Sequence, residues 1–564
     1  MKTTIRWTVR LILLLASILL WHGPADAHDP AGGHEHAGPS PSVGLGALIF
    51  PTSTDNAQAQ AAFERGALLL HLFEYDDAAA AFREAQALQP DYVMAVWGEA
   101  MTHNHPLWNQ LDEKAGREVL QKLGATPAER AAKAMDPRER AYLAAVEMLY
   151  SGEGSKVERD ARYAEAMQKL AARYPDDNQA QLFHALALEG RSEGVRNVPD
   201  YLRAAEIARR IFARNPRNPG AAHYWIHGMD DPEHAEGAIE AARALSKIAP
   251  DAGHAQHMTS HIFIALGLWD DLVTANEEAA RVVYAHARAS GKPEIHCFHY
   301  NEWLEYGYFQ QGRHGDALKL LLDCKRSGDA GLPKIRDAKE AKKTAARFAW
   351  SLPMMRATAV IESRDWNGAA VKLAMPESAD AQAQALDRFV AGYAAAQRGE
   401  LVGAEQSLEA LDEQLATTTR SDDDPQLFDY LHIMRDDLAG LVAAKRGDMA
   451  KALELVRDAA TRMDGLAFDF GPPVPVKPPH ELLGELLLAD DKPAAAADAF
   501  SRSLKLAPLR AQSLLGLARA QAAMDQSRDA RASYAKLLEI WHAAEPDQFG
   551  LDEARNYLAA HPQE

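Results

Sequence analysis

Histidines at helical spacing are the clearest chemical feature of this chain. The stretch DAGHAQHMTSHIFIALGLWDD (residues 251–271) contains His254, His257 and His261, three and four residues apart. On a helix this spacing puts the three side chains within about a 60° arc of one face. Neutral imidazole is a common ligand of transition metals, so such a column could bind one.

Two other segments repeat this chemistry. HYWIHGMDD contains His223 and His227 at helical spacing, followed by Asp230, and HYNEWLEYGYFQQGR contains His299 and Glu302. If the three segments are neighbouring helices, six histidines and two carboxylates would face one wall. The sequence therefore predicts a metal site drawn from His223, His227, Asp230, His254, His257, His261, His299 and Glu302.

Nitrogen-rich ligands with one or two carboxylates suit zinc, copper or non-haem iron and do not choose among them. The alternative is a hydrogen-bonded polar wall that only stiffens the fold. No Walker loop, dinucleotide-binding glycine motif or GxSxG elbow occurs in the chain. With no substrate indicated, catalysis stays open, and the sequence favours a protein that is not an enzyme.

The elements that would position these residues are helix pairs. Two segments share a pattern of small residues and an aromatic, closed by a proline that ends the second helix. The pattern is carried by Gly66, Ala78, Phe82 and Pro90, and again by Gly484, Ala496, Phe500 and Pro508. It resembles the tetratricopeptide repeat, which implies an all-α, right-handed α-solenoid of tetratricopeptide-type helix pairs.

The same resemblance implies a concave groove lined by the first helix of each pair. In this register His254, His257 and His261 line the groove, with the histidines of the two flanking repeats beside them. Four further residues reach groove positions or lie next to them by register or motif: His71, His105, Trp108 and Tyr306.

Charge and the N-terminus indicate where the protein works. Its formal net charge of −19 argues against nucleic acid and anionic membranes as partners. A basic start, a short apolar run and Ala25-Asp26-Ala27 predict a cleaved signal peptide over residues 1–27, and hence a periplasmic or secreted protein with no transmembrane segment after cleavage. Residues 28–56 then form a histidine-containing flexible tail.

The remaining chain is expected to form two arrays. The first covers residues 57–325 and contains the histidine-lined groove; a polar connection at 326–343 leads to the second, residues 344–564. Cys297 and Cys324 are the only cysteines. They should fall on neighbouring antiparallel elements, where either a disulfide or two buried thiols is compatible with the sequence.

The segments HYWIHGMDDPEHAEGA and APDAGHAQHMTSHIFIALGLW resemble paired motifs of secreted bacterial tetratricopeptide proteins of unassigned activity, with Thr259 where their pattern has proline. A more distant likeness links the chain to tetratricopeptide-38-like proteins. The resemblance implies an exported scaffold that binds a peptide, partner protein or ligand in its concave groove. A metal-binding protein or metal-dependent enzyme is the alternative. Oligomeric state is not indicated.

Overall fold

The computed structural model describes residues 44–191, 195–376, 380–420 and 426–562. The predicted signal peptide and the first part of the predicted tail, residues 28–43, lie outside these ranges. Within them the fold is almost entirely helical. The N-terminal helices are α1 (Ala57–His71), α2 (Tyr75–Leu88), α3 (Val93–Met101), α4 (Glu113–Gln121), α5 (Pro127–Lys133), α6 (Pro137–Tyr150), α7 (Lys156–Arg173), α8 (Asn178–Gly190) and α9 (Val198–Arg214).

The middle of the chain carries the histidine segments. Its helices are α10 (Pro219–Gly228), α11 (Ile239–Ile248), α12 (Gly253–Leu266), α13 (Trp269–Ala289), α14 (His299–Gln310), α15 (His314–Gly331), α16 (Ala338–Ser363) and α17 (Ala369–Lys372). The C-terminal helices are α18 (Ala381–Arg398), α19 (Leu401–Thr417), α20 (Leu427–Lys445), α21 (Met449–Asp464), α22 (Pro479–Ala489), α23 (Pro493–Leu506), α24 (Ala511–Ala523), α25 (Ser527–Ile540) and α26 (Leu551–Ala560).

Consecutive helices pack as pairs joined by short loops, and each pair packs on the next, as in α12 with α13, α13 with α14 and α14 with α16. This is the predicted all-α solenoid. The one interruption by strands in the described chain is a two-stranded antiparallel ladder of β1 (Asn104–His105) and β2 (Gln110–Leu111).

The small-residue positions act as the repeat pattern predicts. A Cβ atom on Gly66 or on Gly98 would lie within 2.7 Å of the Phe82 ring. Phe82 is fully buried and therefore packs between three helices, α1, α2 and α3. Phe500 occupies the equivalent place between Gly484 and Gly516. Both well-formed copies of the repeat pattern are confirmed.

Helices far apart in sequence also contact each other. The first helix, α1, contacts α10, and the residues at the start of α24 contact α13 and α14. There the Trp269 indole Nε1 donates to the carbonyl of Leu509 at 3.1 Å, and the amide of Ala511 donates to Gln310 Oε1 at 2.9 Å. One hydrophobic core consequently joins residues between Leu45 and Tyr306 to residues between Ala511 and Ala554, while residues between Ile295 and Val476 form a second core.

Residues 44–56 differ from the predicted flexible tail because they are packed. Phe50 is fully buried, with its ring 5.1 Å from Phe63 and 5.9 Å from Trp97, and the Ala47 amide donates to the carbonyl of Arg217 at 2.8 Å. This extended segment covers apolar surface that the first repeats would otherwise expose.

The predicted polar connection at 326–343 is also different. Its first part is the end of α15 and its last part the start of α16, and these two helices pack together. Cys297 and Cys324 form a disulfide, with Cα atoms 4.7 Å apart, that ties the segment before α14 to α15. None of the described helices is long and apolar enough to cross a membrane.

Candidate metal centre

Three helices bring the six predicted histidines together. His223 and His227 lie on α10, His254, His257 and His261 on α12, and His299 begins α14. Asn218 caps α10 and Pro219 occupies its first position, while Gly267 ends α12 in the left-handed conformation. These six side chains are 0–6% exposed. They therefore lie inside the protein and not on an open groove wall.

The first part of the cluster is a compact triad. One ring nitrogen from each of His223, His227 and His254 lies within 4.8 Å of the other two. The Nε2 atoms of His223 and His227, one helical turn apart, are 3.1 Å from each other. A tetrahedral site with zinc–nitrogen bonds of about 2.0–2.1 Å has ligand atoms about 3.3 Å apart, so this edge has the length a metal needs.

His254 is buried without a hydrogen bond on its ring. Neither Nδ1 nor Nε2 has a partner among the described residues. The ring lies 5.7 Å from that of Phe73 and 6.3 Å from that of Trp108. Buried polar groups are nearly always bonded, and leaving one unbonded costs roughly 1–3 kcal/mol, so this imidazole calls for a ligand or a water.

The contact on the far side of His223 fixes its tautomer. Its Nδ1 lies 2.7 Å from the main-chain oxygen of His71. A carbonyl oxygen can only accept, so Nδ1 carries the proton and Nε2 presents a lone pair towards His227 and His254. An outer hydrogen bond to a carbonyl is the usual support of a metal-binding histidine.

His257 and His261 have the same arrangement. Nδ1 of His257 donates to Asn276 Oδ1 at 2.7 Å, and Nδ1 of His261 donates to Asp230 Oδ2 at 2.5 Å. The Asn276 amide nitrogen is turned to the Leu272 carbonyl, which leaves its oxygen for His257. Both Nε2 atoms therefore carry lone pairs, and they face each other at 3.3 Å. A cation between them would relieve that repulsion.

Burial keeps these rings neutral. It lowers the pKa of His223 and of His299 to about 3, and it holds the pKa values of His227, His254 and His257 well below their usual value. Neighbouring imidazoles add to the effect. At neutral pH these five rings are therefore unprotonated, which is the form of imidazole that a metal ion binds.

Aromatic rings enclose the second half of the cluster. His299 packs edge-on against His257 at 4.4 Å, and Trp303 lies 4.9 Å from His257 and 4.4 Å from His261. Phe470, from the proline-rich loop after α21, lies 5.4 Å from His261. This loop passes so close to Trp303 that a Cβ on Gly471 would come within 2.9 Å of its ring.

The two carboxylates of the predicted metal site, Asp230 and Glu302, lie outside the histidine triad. Asp230 contacts the cluster as the acceptor for His261 and does not join the triad. Glu302 hydrogen-bonds Ser351 of α16, and burial raises its pKa to about 7. Glu302 does not join the triad: one turn after His299, its side chain contacts the next helix pair through Ser351, and its place as a ligand stays a prediction.

The predicted groove residues are distributed through the interior. His71 is bonded at both ring nitrogens, to Tyr224 and Gln179, so only its carbonyl serves the cluster. His105 lies in β1 and stacks on Tyr75 at 4.0 Å, not on a helix as its register predicts. Trp108 packs on His254, and the hydroxyl of Tyr306 lies 3.1 Å from Arg510.

Sequence reasoning missed Phe73, Asn276 and Phe470. The sequence could have indicated Asn276, because an asparagine on the apolar face of α13 must have a buried hydrogen-bond partner. It could not have indicated Phe73 or Phe470, because Phe73 lies about 150 residues before His223 and Phe470 about 210 residues after His261.

No protein-family profile matches this chain, and no curated protein is similar to it in sequence. Among solved structures it is similar to the Cut9–Hcn1 hetero-tetramer of the APC/C (15% identity, 89% of this chain and 75% of that chain, TM-score 0.34). It is also similar to the human IFIT1 dimer with m7Gppp-AAAA (12%, 87% and 92%, 0.35) and to yeast Tom70 (10%, 90% and 89%, 0.25). Likenesses this distant transfer no partner or ligand to the chain.

Proposed function

We propose that this protein is a metalloprotein that holds a divalent transition metal on His223, His227 and His254. The observation that carries the proposal is the buried triad itself: three ring nitrogens lie within 4.8 Å of one another, and the His254 ring has no hydrogen bond to the described residues. Buried imidazole nitrogens without hydrogen bonds destabilise the folded protein. Metal binding would remove this cost, because the same nitrogen atoms would become ligands.

Zinc is the first candidate among the metals. The Nε2 atoms of His223 and His227 are 3.1 Å apart, which is close to the edge of a tetrahedral zinc site, about 3.3 Å. Copper and iron also accept imidazole ligands and remain the alternatives. His227 Nε2 donates to His223 Nε2 in the metal-free protein, so metal binding at His227 Nε2 would require that proton to move to Nδ1 of the same ring.

The burial of the histidine cluster favours a metal site over a peptide-binding groove. Histidines that are 0–6% exposed cannot contact a bound peptide, so a partner protein in a histidine-lined groove is less well supported than a closed metal site. The solenoid would act as the scaffold that assembles ligands from two neighbouring repeats, on α10 and α12. A metal held in this way suits a structural role or chemistry on a small molecule such as oxygen.

Export of the protein is part of the proposal. The Cys297–Cys324 disulfide is of a kind that persists in oxidising compartments, which supports the predicted signal peptide and the resemblance to secreted bacterial proteins. Fractionation of cells with N-terminal sequencing of the mature protein tests it. A cytoplasmic protein with an intact N-terminus would contradict export and leave the metal site untouched.

The decisive assay is metal content by elemental mass spectrometry on untagged protein, compared with His254→Asn. The His254 ring makes no hydrogen bond to the described protein, so its replacement should leave the fold intact. The matched control is His542→Ala, which removes an exposed histidine. We expect about one or more equivalents in wild type and the control and none at the triad in His254→Asn, with unchanged helicity.

Either of two results would overturn the proposal: no metal in any of the three proteins after incubation with zinc, copper and iron, or equal metal in wild type and His254→Asn.

A further inference from the structure

A second feature, a cavity of about 370 Å³, lies among the C-terminal helices α16, α22 and α24. It is separate from the histidine cluster and shares no residue with it. Its volume is within the range of small-molecule sites, which is about 300–1,000 Å³. The apolar part of its wall comes from Phe500, Leu515, Trp541 and Phe549.

Two guanidinium groups flank one aromatic ring at this cavity. The Cζ atoms of Arg364 and Arg519 lie 4.7 and 5.0 Å from the centre of the Phe549 ring. Both cations therefore share one wall, and their mutual repulsion falls if an anion lies between them.

Both arginines have guanidinium N–H groups that do not donate to the described protein. Arg364 uses only Nη1, which donates to Glu485 Oε1 at 3.0 Å and to Gln512 Oε1 at 3.3 Å. Arg519 uses Nε and Nη2 on Glu553. Nε and Nη2 of Arg364 and Nη1 of Arg519 have no protein acceptor among the described residues. These three donors lie at the same cavity as Gln548, whose Oε1 is a buried acceptor without a hydrogen bond to the described residues.

A third donor has no partner. The indole Nε1 of Trp541, a residue of the cavity wall that is 3% exposed, makes no hydrogen bond within the described chain. Unbonded buried donors of this kind are rare in folded proteins and need an acceptor. Three side chains at one cavity thus offer N–H groups beside an apolar wall.

The geometry points to a binding site for a small aromatic carboxylate in this cavity. Its carboxylate would accept from the spare donors of Arg364 and Arg519, the bidentate geometry to which guanidinium is suited. Its ring would lie against Phe500, Leu515 and Phe549. Arg364 forms an ion pair with Glu485, and Arg519 forms one with Glu553. Because these pairs leave the site near neutral, a ligand with a single negative charge fits it better than a polyanion.

The test is isothermal titration of the full protein with 3-phenylpropionate and with its neutral amide. We expect the carboxylate to bind and the amide to bind at least tenfold more weakly. Arg364→Gln should weaken the carboxylate at least tenfold and leave the amide unaffected. Arg364→Lys, which retains the charge, should restore part of the difference.

Blocking the cavity gives the matched comparison. Ala489 is exposed at the mouth, so Ala489→Trp should abolish binding without disturbing packing, whereas Ala495→Trp on the exposed face of α23 should bind as wild type. Equal binding of acid and amide, no binding of either at millimolar concentration, or full binding by Ala489→Trp would each overturn the proposal. Titrations with metal-free and zinc-treated protein keep this result independent of the histidine cluster.

Discussion

At the scale of single residues, the outer hydrogen bonds decide what the histidines can do. His223, His257 and His261 each donate from Nδ1 to an oxygen, of a carbonyl, an amide and a carboxylate respectively. This leaves each Nε2 atom as an acceptor turned inward. Buried imidazoles held by outer hydrogen bonds with their lone pairs turned inward are what a cation site needs, whereas a polar wall that only stiffens the fold does not need them.

Asp230→Asn tests this outer support. The amide can still contact His261, whose ring lies 5.8 Å from that of the ligand His227, but it supplies no charge, so we expect metal affinity to fall about 10-fold with the fold retained. Competition with a chromogenic chelator measures the change. Glu233→Gln, three residues further on and exposed, serves as the matched control and should bind as wild type. Unchanged affinity in Asp230→Asn would remove His261 from the metal's surroundings.

The raised pKa of Glu302 should make the free energy of unfolding depend on pH. Its folded pKa of about 7 exceeds the usual 4.5, so the unfolded chain ionises first as pH rises. The stability contributed by the neutral side chain is full below pH 4.5 and is lost between pH 4.5 and 7. Glu302→Gln should therefore gain about 3 kcal/mol relative to wild type between pH 4.5 and 8.

Urea unfolding of both proteins at pH 4.5, 6 and 8 measures that difference. A gap between variant and wild type that stays constant with pH would show that Glu302 titrates normally.

Much of the residue-level site could be predicted, because His254, His257 and His261 share one helical face and the repeat register aligns His223, His227 and His299 beside them. The contacts that each of these side chains makes could not be predicted. Glu302 is on the same helix as His299 and at helical spacing, yet its side chain packs against α16. Sequence spacing gives a direction along one helix and does not say which neighbouring helix a long side chain will reach.

At the scale of elements, small residues set how closely helices approach. A Cβ on Gly98 would lie 2.3 Å from the Phe82 ring, whereas a Cβ on Gly403 of α19 would meet only Ala395 at 3.7 Å. The two glycines are both helical and give opposite predictions for the same substitution.

We expect Gly98→Ala to destabilise the protein by about 1–3 kcal/mol through overpacking. Gly403→Ala should stabilise it by about 0.5–1 kcal/mol through better helix propensity. Thermal unfolding of the two variants beside wild type measures the signs. Two changes of the same sign would mean that Phe82 is not held where the repeat pattern puts it.

Helices and their pairing were predictable because the repeat pattern is local. The element boundaries at 326–343 were not, since the charged residues of that segment lie on the exposed faces of α15 and α16 and mimic a linker. The packing of residues 44–56 was missed for a related reason: an extended segment held by Phe50 has no periodicity of its own.

At the scale of the whole molecule, buried ion pairs hold the C-terminal repeats against the middle of the chain. Arg510, fully buried, lies with Nη1 2.6 Å from Glu362 of α16 and Nε 2.8 Å from Glu481 of α22. It also reaches Tyr306 of α14. One side chain therefore joins three helices that are far apart in sequence.

Arg510→Met should cost about 3–5 kcal/mol, because it leaves two buried carboxylates without their cation. Hydrogen exchange should show the loss first in α22 to α26. Arg502→Met is the matched control: its pair with Asp464 is largely exposed and worth at most about 1 kcal/mol. Unfolding of all helices together, with no early release of the C-terminal ones, would contradict this role.

Anomalous diffraction from crystals of the zinc-loaded protein would locate directly the metal that we propose among His223, His227 and His254. We expect a peak at the zinc edge about 2 Å from one ring nitrogen of each of the three histidines. We also expect that peak to be lost in His254→Asn. Density for water alone between the three rings, with zinc only at surface sites, would contradict it.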